Sequence, residues 1–152
     1  MCGPTQVRGA PAGRGLVMLD DKLGVLTGRI TGQRVLPSES GPTVETSTTI
    51  SGVLAGVQTT IIATYWAKVQ PDGTLYGECP RQGVVMTDDG GAGVWSAAGV
   101  GWFTADGGNS FRGSGYLVPP PPKLAHLATT ALAFEWDVTA DQDASLALWG
   151  WK

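Results

Sequence analysis

From Lys22 to Trp151 the chain alternates runs rich in Val, Thr, Ile, Leu and aromatic residues with short clusters of Gly, Pro, Asp and Ser. Runs of that make at a short, even spacing predict β-strands joined by turns. Eight such runs stand out: Val25–Leu36, Thr43–Leu54, Val57–Val69, Thr74–Thr87, Val94–Phe103, Ser110–Val118, Ala131–Thr139 and Ser145–Trp151. The fourth is interrupted at Cys79-Pro80-Arg81. Between them, Ala55-Gly56, Pro71-Asp72-Gly73, Asp88-Asp89-Gly90-Gly91, Ala105-Asp106-Gly107-Gly108 and Ala140-Asp141-Gln142-Asp143 carry turn chemistry. The prolines at 119–122 cannot donate backbone hydrogen bonds and end the sixth run, leaving Lys123–Ala128 room for one helical turn. Eight strands in hairpin order predict an all-β fold. Closing an up-and-down antiparallel barrel hides both sheet edges and one apolar face, and leaves an interior suited to side chains plus one small ligand. A two-sheet sandwich is the alternative.

Hairpin geometry then assigns faces. If Asp72-Gly73 form a two-residue turn, Tyr65, Ala67 and Val69 share a face with Tyr76 and Glu78, while Trp66, Lys68 and Gln70 share the other with Leu75 and Cys79. Lysine and glutamine belong in water, so the first set, Glu78 included, is expected inside. A four-residue turn gives the same faces and a three-residue turn reverses them. On the next hairpins, Trp95, Ala97, Gly99, Gly101 and Phe103 fall with Ser110, Arg112, Ser114 and Tyr116, against Val94, Val100, Trp102, Phe111 and Leu117. Hydrophobicity favours the second set inside. Continuity from Glu78 favours the first, with Arg112 inward, unless a bulge at Pro80 flips the parity; we prefer the bulge. Leu132, Phe134, Trp136 and Val138 form one apolar stripe, with Glu135 and Asp137 opposite.

Composition narrows the picture. The chain of 152 residues suits one domain, which we assign to residues 22–152, with 1–21 as a disordered leader of Gly, Pro and Arg. Glycine, at 23 residues, is about twice its usual share of roughly 7% and, with ten prolines, argues against long helices. Ten basic against thirteen acidic residues give a net charge of −3, so no basic surface points to nucleic acid or an anionic membrane. No apolar run reaches the length of a membrane helix. Cys2 and Cys79 read as free thiols in a reducing cytoplasm, and a lone histidine, His126, leaves no zinc quartet. No metal or cofactor is expected. His126 reads as a loop residue.

Catalytic signatures are sparse. Gly99-Val100-Gly101 lacks the helix that a phosphate cradle needs, and Gly113-Ser114-Gly115 lacks the strand-to-helix turn of a nucleophile elbow. Glu78 is the leading candidate, because a carboxylate in an apolar lumen beside tyrosines would have a raised pKa and could serve as general acid or base. Tyr76 and Arg112 are its candidate partners, Arg112 also as an oxyanion donor. Tyr65, Trp95, Tyr116, Phe134 and Trp136 are the expected wall for an apolar substrate, or simply core. Trp66 and Trp102 could instead form an exposed face for a homodimer.

The phrases Thr64-Tyr65-Trp66, Pro71-Asp72-Gly73-Thr74-Leu75-Tyr76-Gly77-Glu78, Gly83-Val84-Val85-Met86-Thr87 and Phe134-Glu135-Trp136-Asp137 resemble those of small uncharacterised bacterial proteins. Their layout over residues 22–152 is similar to the allene oxide cyclase-like, calycin-type barrel. That wider group includes plant allene oxide cyclases and bacterial polyketide cyclases, among them Diels–Alderases of spirotetronate pathways. The resemblance implies cofactor-free cyclisation or isomerisation of a flexible, hydrophobic substrate folded in an aromatic cavity. A rigid cavity removes part of the torsional entropy cost of ring closure, and one hydrogen bond from Tyr65, Tyr76 or Arg112 to a carbonyl lowers the barrier further. A non-catalytic carrier of a small hydrophobic ligand is the alternative expectation.

Overall fold

A computed structural model describes residues 19–151. The strands are β1 (Leu19–Leu36), β2 (Thr43–Leu54), β3 (Val57–Val69), β4 (Leu75–Thr87), β5 (Ala92–Phe103), β6 (Asn109–Leu117), β7 (Leu132–Val138) and β8 (Asp143–Trp151). Each pairs antiparallel with the next, and β8 returns to β1, closing the barrel. The eight-stranded antiparallel barrel is thus the observed fold, not the sandwich. β1 begins at Leu19, which pairs with Trp151, three residues ahead of the expected domain start. The expected leader otherwise lies outside the described residues, as does Cys2. Among the described residues no helix is long and apolar enough to cross a membrane.

The hairpin turns correct the expected faces. Gln70 N–H donates to Thr74 O and Gly73 N–H to Gln70 O, so the loop is three residues, Pro71-Asp72-Gly73, with Gly73 at φ 88°. Proline suits the second position of a type I turn, and glycine then takes the left-handed position that completes the three-residue loop. The same design recurs at Asp88-Asp89-Gly90, Ala105-Asp106-Gly107 and Ala140-Asp141-Gln142, where the last residue again has positive φ. In the first three, an aspartate carboxylate accepts from a threonine hydroxyl and a backbone N–H. Those bonds, the hydroxyl's foremost, hold Asp72, Asp89 and Asp106 below the ordinary carboxylate range.

One extra residue in a turn shifts every pair by one, and faces follow. Leu75, Gly77 and Cys79 therefore join Tyr65, Ala67 and Val69 inside, and Tyr76 and Glu78 turn outward. On β5 and β6 the interior takes the β5 half of one competing set and the β6 half of the other: Trp95 pairs with Leu117, and Gly101 with Phe111. Arg112, Ser114 and Tyr116 share the outer face with Val100 and Trp102. The bulge at Pro80 exists, yet it adds two residues to β4: Cys79 pairs with Ala97 and Gly83 with Trp95. Parity survives it. The stripe of Leu132, Phe134, Trp136 and Val138 is buried as expected.

The glycines explain how six-membered and indole rings fit so narrow a tube. A Cβ at Gly115 would lie 2.3 Å from the Trp95 ring, one at Gly83 2.7 Å from Trp95 Cβ, one at Gly101 2.8 Å from the Phe111 ring and one at Gly99 3.0 Å from Phe134 Cζ. Below the rings, Leu26, Leu54, Val85, Leu117, Leu132 and Leu148 pack the barrel end where β2 meets β3. A short 3-10 helix, Pro122–Leu127, caps that end and buries Leu124 and Leu127. The opposite end carries the three-residue turns 71–73, 105–107 and 140–142, and among the described residues no helix covers it.

Gly115→Ala should lower stability by about 1–3 kcal/mol through overpacking against Trp95, read as a fall in the urea midpoint. Gly32→Ala, whose Cβ would meet nothing within 4 Å, serves as the control and should change stability by less than about 0.5 kcal/mol. Equal midpoints for the two variants would contradict the ring-over-glycine packing.

Candidate functional site

Midway along the barrel three rings form a cross-piece. The Tyr65 ring stands edge-on to Phe111 at 6.3 Å and to Trp136 at 6.0 Å between centroids. Trp136 Nε1–H donates to the Tyr65 hydroxyl at 3.0 Å. Strand alternation puts all three inward, Tyr65 from β3, Phe111 from β6 and Trp136 from β7. Burial pushes the Tyr65 phenol above its ordinary 10.0, outweighing the hydrogen bond from Trp136, so the ring carries a neutral hydroxyl.

On the capped side of this cross-piece lies an apolar cavity of about 70 Å³. Ile50, Ile61, Ala63, Trp95, Ala97 and Phe134 are among its walls, and Trp95 meets Phe134 edge-on at 6.2 Å. Glu78 and Ala98, paired across β4 and β5 with their side chains outward, also border it. On the open side a second chamber of about 130 Å³ is bordered by Tyr65 and Phe111 again and by Gln33, Thr46, Asn109 and Gln142. A register shift between Ile30 and Gly32 sets Gln33 opposite the inward Thr46, to which its amide donates at 3.5 Å.

Of the residues expected at a site, Tyr65, Trp95, Phe134 and Trp136 line the interior. Tyr116 is 46% exposed on the outer surface. Tyr76 and Glu78, expected in the lumen, lie outside it, because the Pro71-Asp72-Gly73 turn has three residues. There the Tyr76 hydroxyl donates to Glu78 Oε2 at 2.6 Å, and the Tyr76 ring rests on Trp66 at 5.8 Å. Accepting that hydrogen bond, the carboxylate raises the Tyr76 pKa. Arg112 is also outside, over the Trp102 ring at 5.2 Å and paired with Asp137 at 3.1 Å and Glu135 at 3.8 Å. Phe111, Gln33, Asn109 and Gln142 were not anticipated at a site; Phe111 was legible as an interior ring, whereas no local pattern marks the three amides. Gly99 also lines the cavity and has no room for a side chain: its Cβ would meet Arg112 O at 2.8 Å as well as the Phe134 ring.

The site's chemistry is correspondingly spare. Among the described residues no group of three His, Cys, Asp or Glu could hold a metal. Cys79 is buried, and burial pushes its thiol from 9.0 to about 11. What the lumen offers is shape, ring faces and neutral hydrogen-bonding groups.

No family model and no curated protein matches the chain. Solved structures do. A conserved protein of unknown function from Rhodopseudomonas palustris superposes with a TM-score of 0.72 at 12% identity, covering 88% of this chain and 98% of that one. A protein of unknown function from Clostridium acetobutylicum superposes with a TM-score of 0.72 at 11% identity, covering 87% and 97%. The likeness establishes a shared barrel with distant bacterial proteins and carries no activity.

The thiol gives a test of how dry the interior is. Between about pH 9 and 11 the unfolded chain releases the Cys79 proton while the folded chain keeps it, so stability is complete below pH 9 and falls as the pH rises toward 11. The slope is at most about 1.4 kcal/mol per pH unit. Urea denaturation across that range should show Cys79→Ala losing less stability than the parent. Parallel pH profiles would mean that the thiol meets water.

Proposed function

We propose that the protein binds a small, uncharged, largely apolar molecule in the middle of the barrel. The observation that carries this reading is the apolar cavity between the leucine-packed end and the Tyr65–Phe111–Trp136 cross-piece. A void walled by Ile50, Ile61, Trp95 and Phe134 has few partners for water and gains dispersion contact when an apolar guest fills it. At about 70 Å³ it is far below the roughly 300–1,000 Å³ of sites for drug-sized ligands. A compact guest fits this volume better than the long, folded chain of a polyketide.

Ring closure of the allene oxide cyclase kind is the second reading. The observation in its favour is the neutral Tyr65 hydroxyl on the lumen wall, able to polarise a carbonyl. With Glu78 outside, such a reaction would run on shape and this one donor. Its turnover would survive Glu78→Gln and fall with Tyr65→Phe.

Toluene is a suitable first probe. Titrated into the protein, it should shift the indole N–H resonances of Trp95 and Trp136 saturably. Ala97→Leu, which extends a side chain into the cavity, should abolish the shifts while keeping the melting temperature within a few degrees of the parent. Unmoved indole signals in the parent would dispose of the binding proposal. Native mass spectrometry of the protein from its own cells would supply the natural guest.

A further inference from the structure

We infer that the chamber on the open side is the polar half of the same binding site, built for an uncharged hydrogen-bond donor such as a hydroxyl or primary amide. This rests on the apolar-guest reading above and extends it to the ligand's chemical class: a small amphipathic molecule with a compact apolar body and one neutral polar end.

Three observations converge on it. The two cavities adjoin at Tyr65 and Phe111, which border both. The lining of the open-side chamber holds three side-chain amides, Gln33, Asn109 and Gln142, with the hydroxyls of Thr46 and Tyr65, and no lysine, arginine, aspartate or glutamate. Within it, Asn109 Oδ1 is buried with no hydrogen-bond partner, alone in this among the side-chain polar atoms of the described residues.

An unpaired buried carbonyl is costly, and on a side chain that lines a cavity it is relieved by a donor that enters and reaches it. The absence of ionised groups in the lining decides against charged ends. A carboxylate or ammonium brought here would lose its hydration and gain no counter-charge. Donor rather than acceptor character follows from the oxygen itself, which can only accept. Gln33 is already engaged with Thr46, the Tyr65 hydroxyl already accepts from Trp136 and Gln142 is exposed to water, so the buried, unpartnered Asn109 oxygen is the group left to read the guest.

A matched set of probes tests this. Toluene, benzyl alcohol, benzyl methyl ether, benzylamine and benzoate at pH 7 share one apolar body and differ at the end. Dissociation constants from the Trp136 indole signal should put benzyl alcohol roughly tenfold tighter than toluene, with the ether no tighter than toluene and both ions weaker. In Asn109→Ala that tenfold advantage should vanish while toluene binding stays unchanged. Asn109→Asp, which keeps an acceptor but adds charge, should admit benzylamine. Toluene binding without an alcohol advantage overturns this inference and leaves the apolar site standing, as does an advantage that survives Asn109→Ala or an ether that binds tighter than the alcohol. Failure of every probe to move the indole signals removes both readings together.

Discussion

Everything inside this barrel depends on fitting large rings into a tube only eight strands around. Such a tube has room for side chains and little else, and Trp95, Phe111, Phe134 and Trp136 all point into it. They fit because strands β4, β5 and β6 give up their own side chains at Gly77, Gly83, Gly99, Gly101 and Gly115, whose Cβ positions the rings or backbone already occupy. The glycine content that looks like flexibility in the composition is therefore packing. Each ring takes the volume that a neighbouring strand leaves free, and the cavities are what this exchange leaves unfilled.

The same arrangement sorts charge from lumen. Glu78 of β4, Arg112 of β6 and Glu135 and Asp137 of β7 fall on the outer surface, where they pair with one another or with Tyr76. Among the described residues the buried polar side chains are neutral, and burial holds both Tyr65 and Cys79 in their protonated forms. On the binding role proposed above, a lumen of that kind would select by shape and hydrogen bonding rather than by acid–base exchange.

Much of the fold was legible in the residues. The bounds of β2 and β3 coincide with the Thr43–Leu54 and Val57–Val69 runs, and β7 shows its alternation without ambiguity. What misled was one residue per turn. Asp-Gly suits a two-residue loop in which both residues have positive φ, but Pro71 ahead of it can adopt only negative φ and fits the second position of a type I turn. That choice decides whether Glu78 or Cys79 faces the interior, and with it the expected general acid. The conflict between the Trp95 and Phe111 sets carried the same signal, since an interior that takes the β5 members of one and the β6 members of the other requires a turn one residue longer. Gln33 and Asn109 were out of reach for another reason: a polar residue in an inward position is visible only once bulges and registers are known.

With the 3-10 helix and its two leucines stopping one end, the barrel is a blind alley rather than a corridor. For the guest proposed above, traffic through such a dead-end passage would be single file: an occupant would have to back out before a successor could enter, so the rate of exchange would be set by departure and be indifferent to how much competitor waits outside.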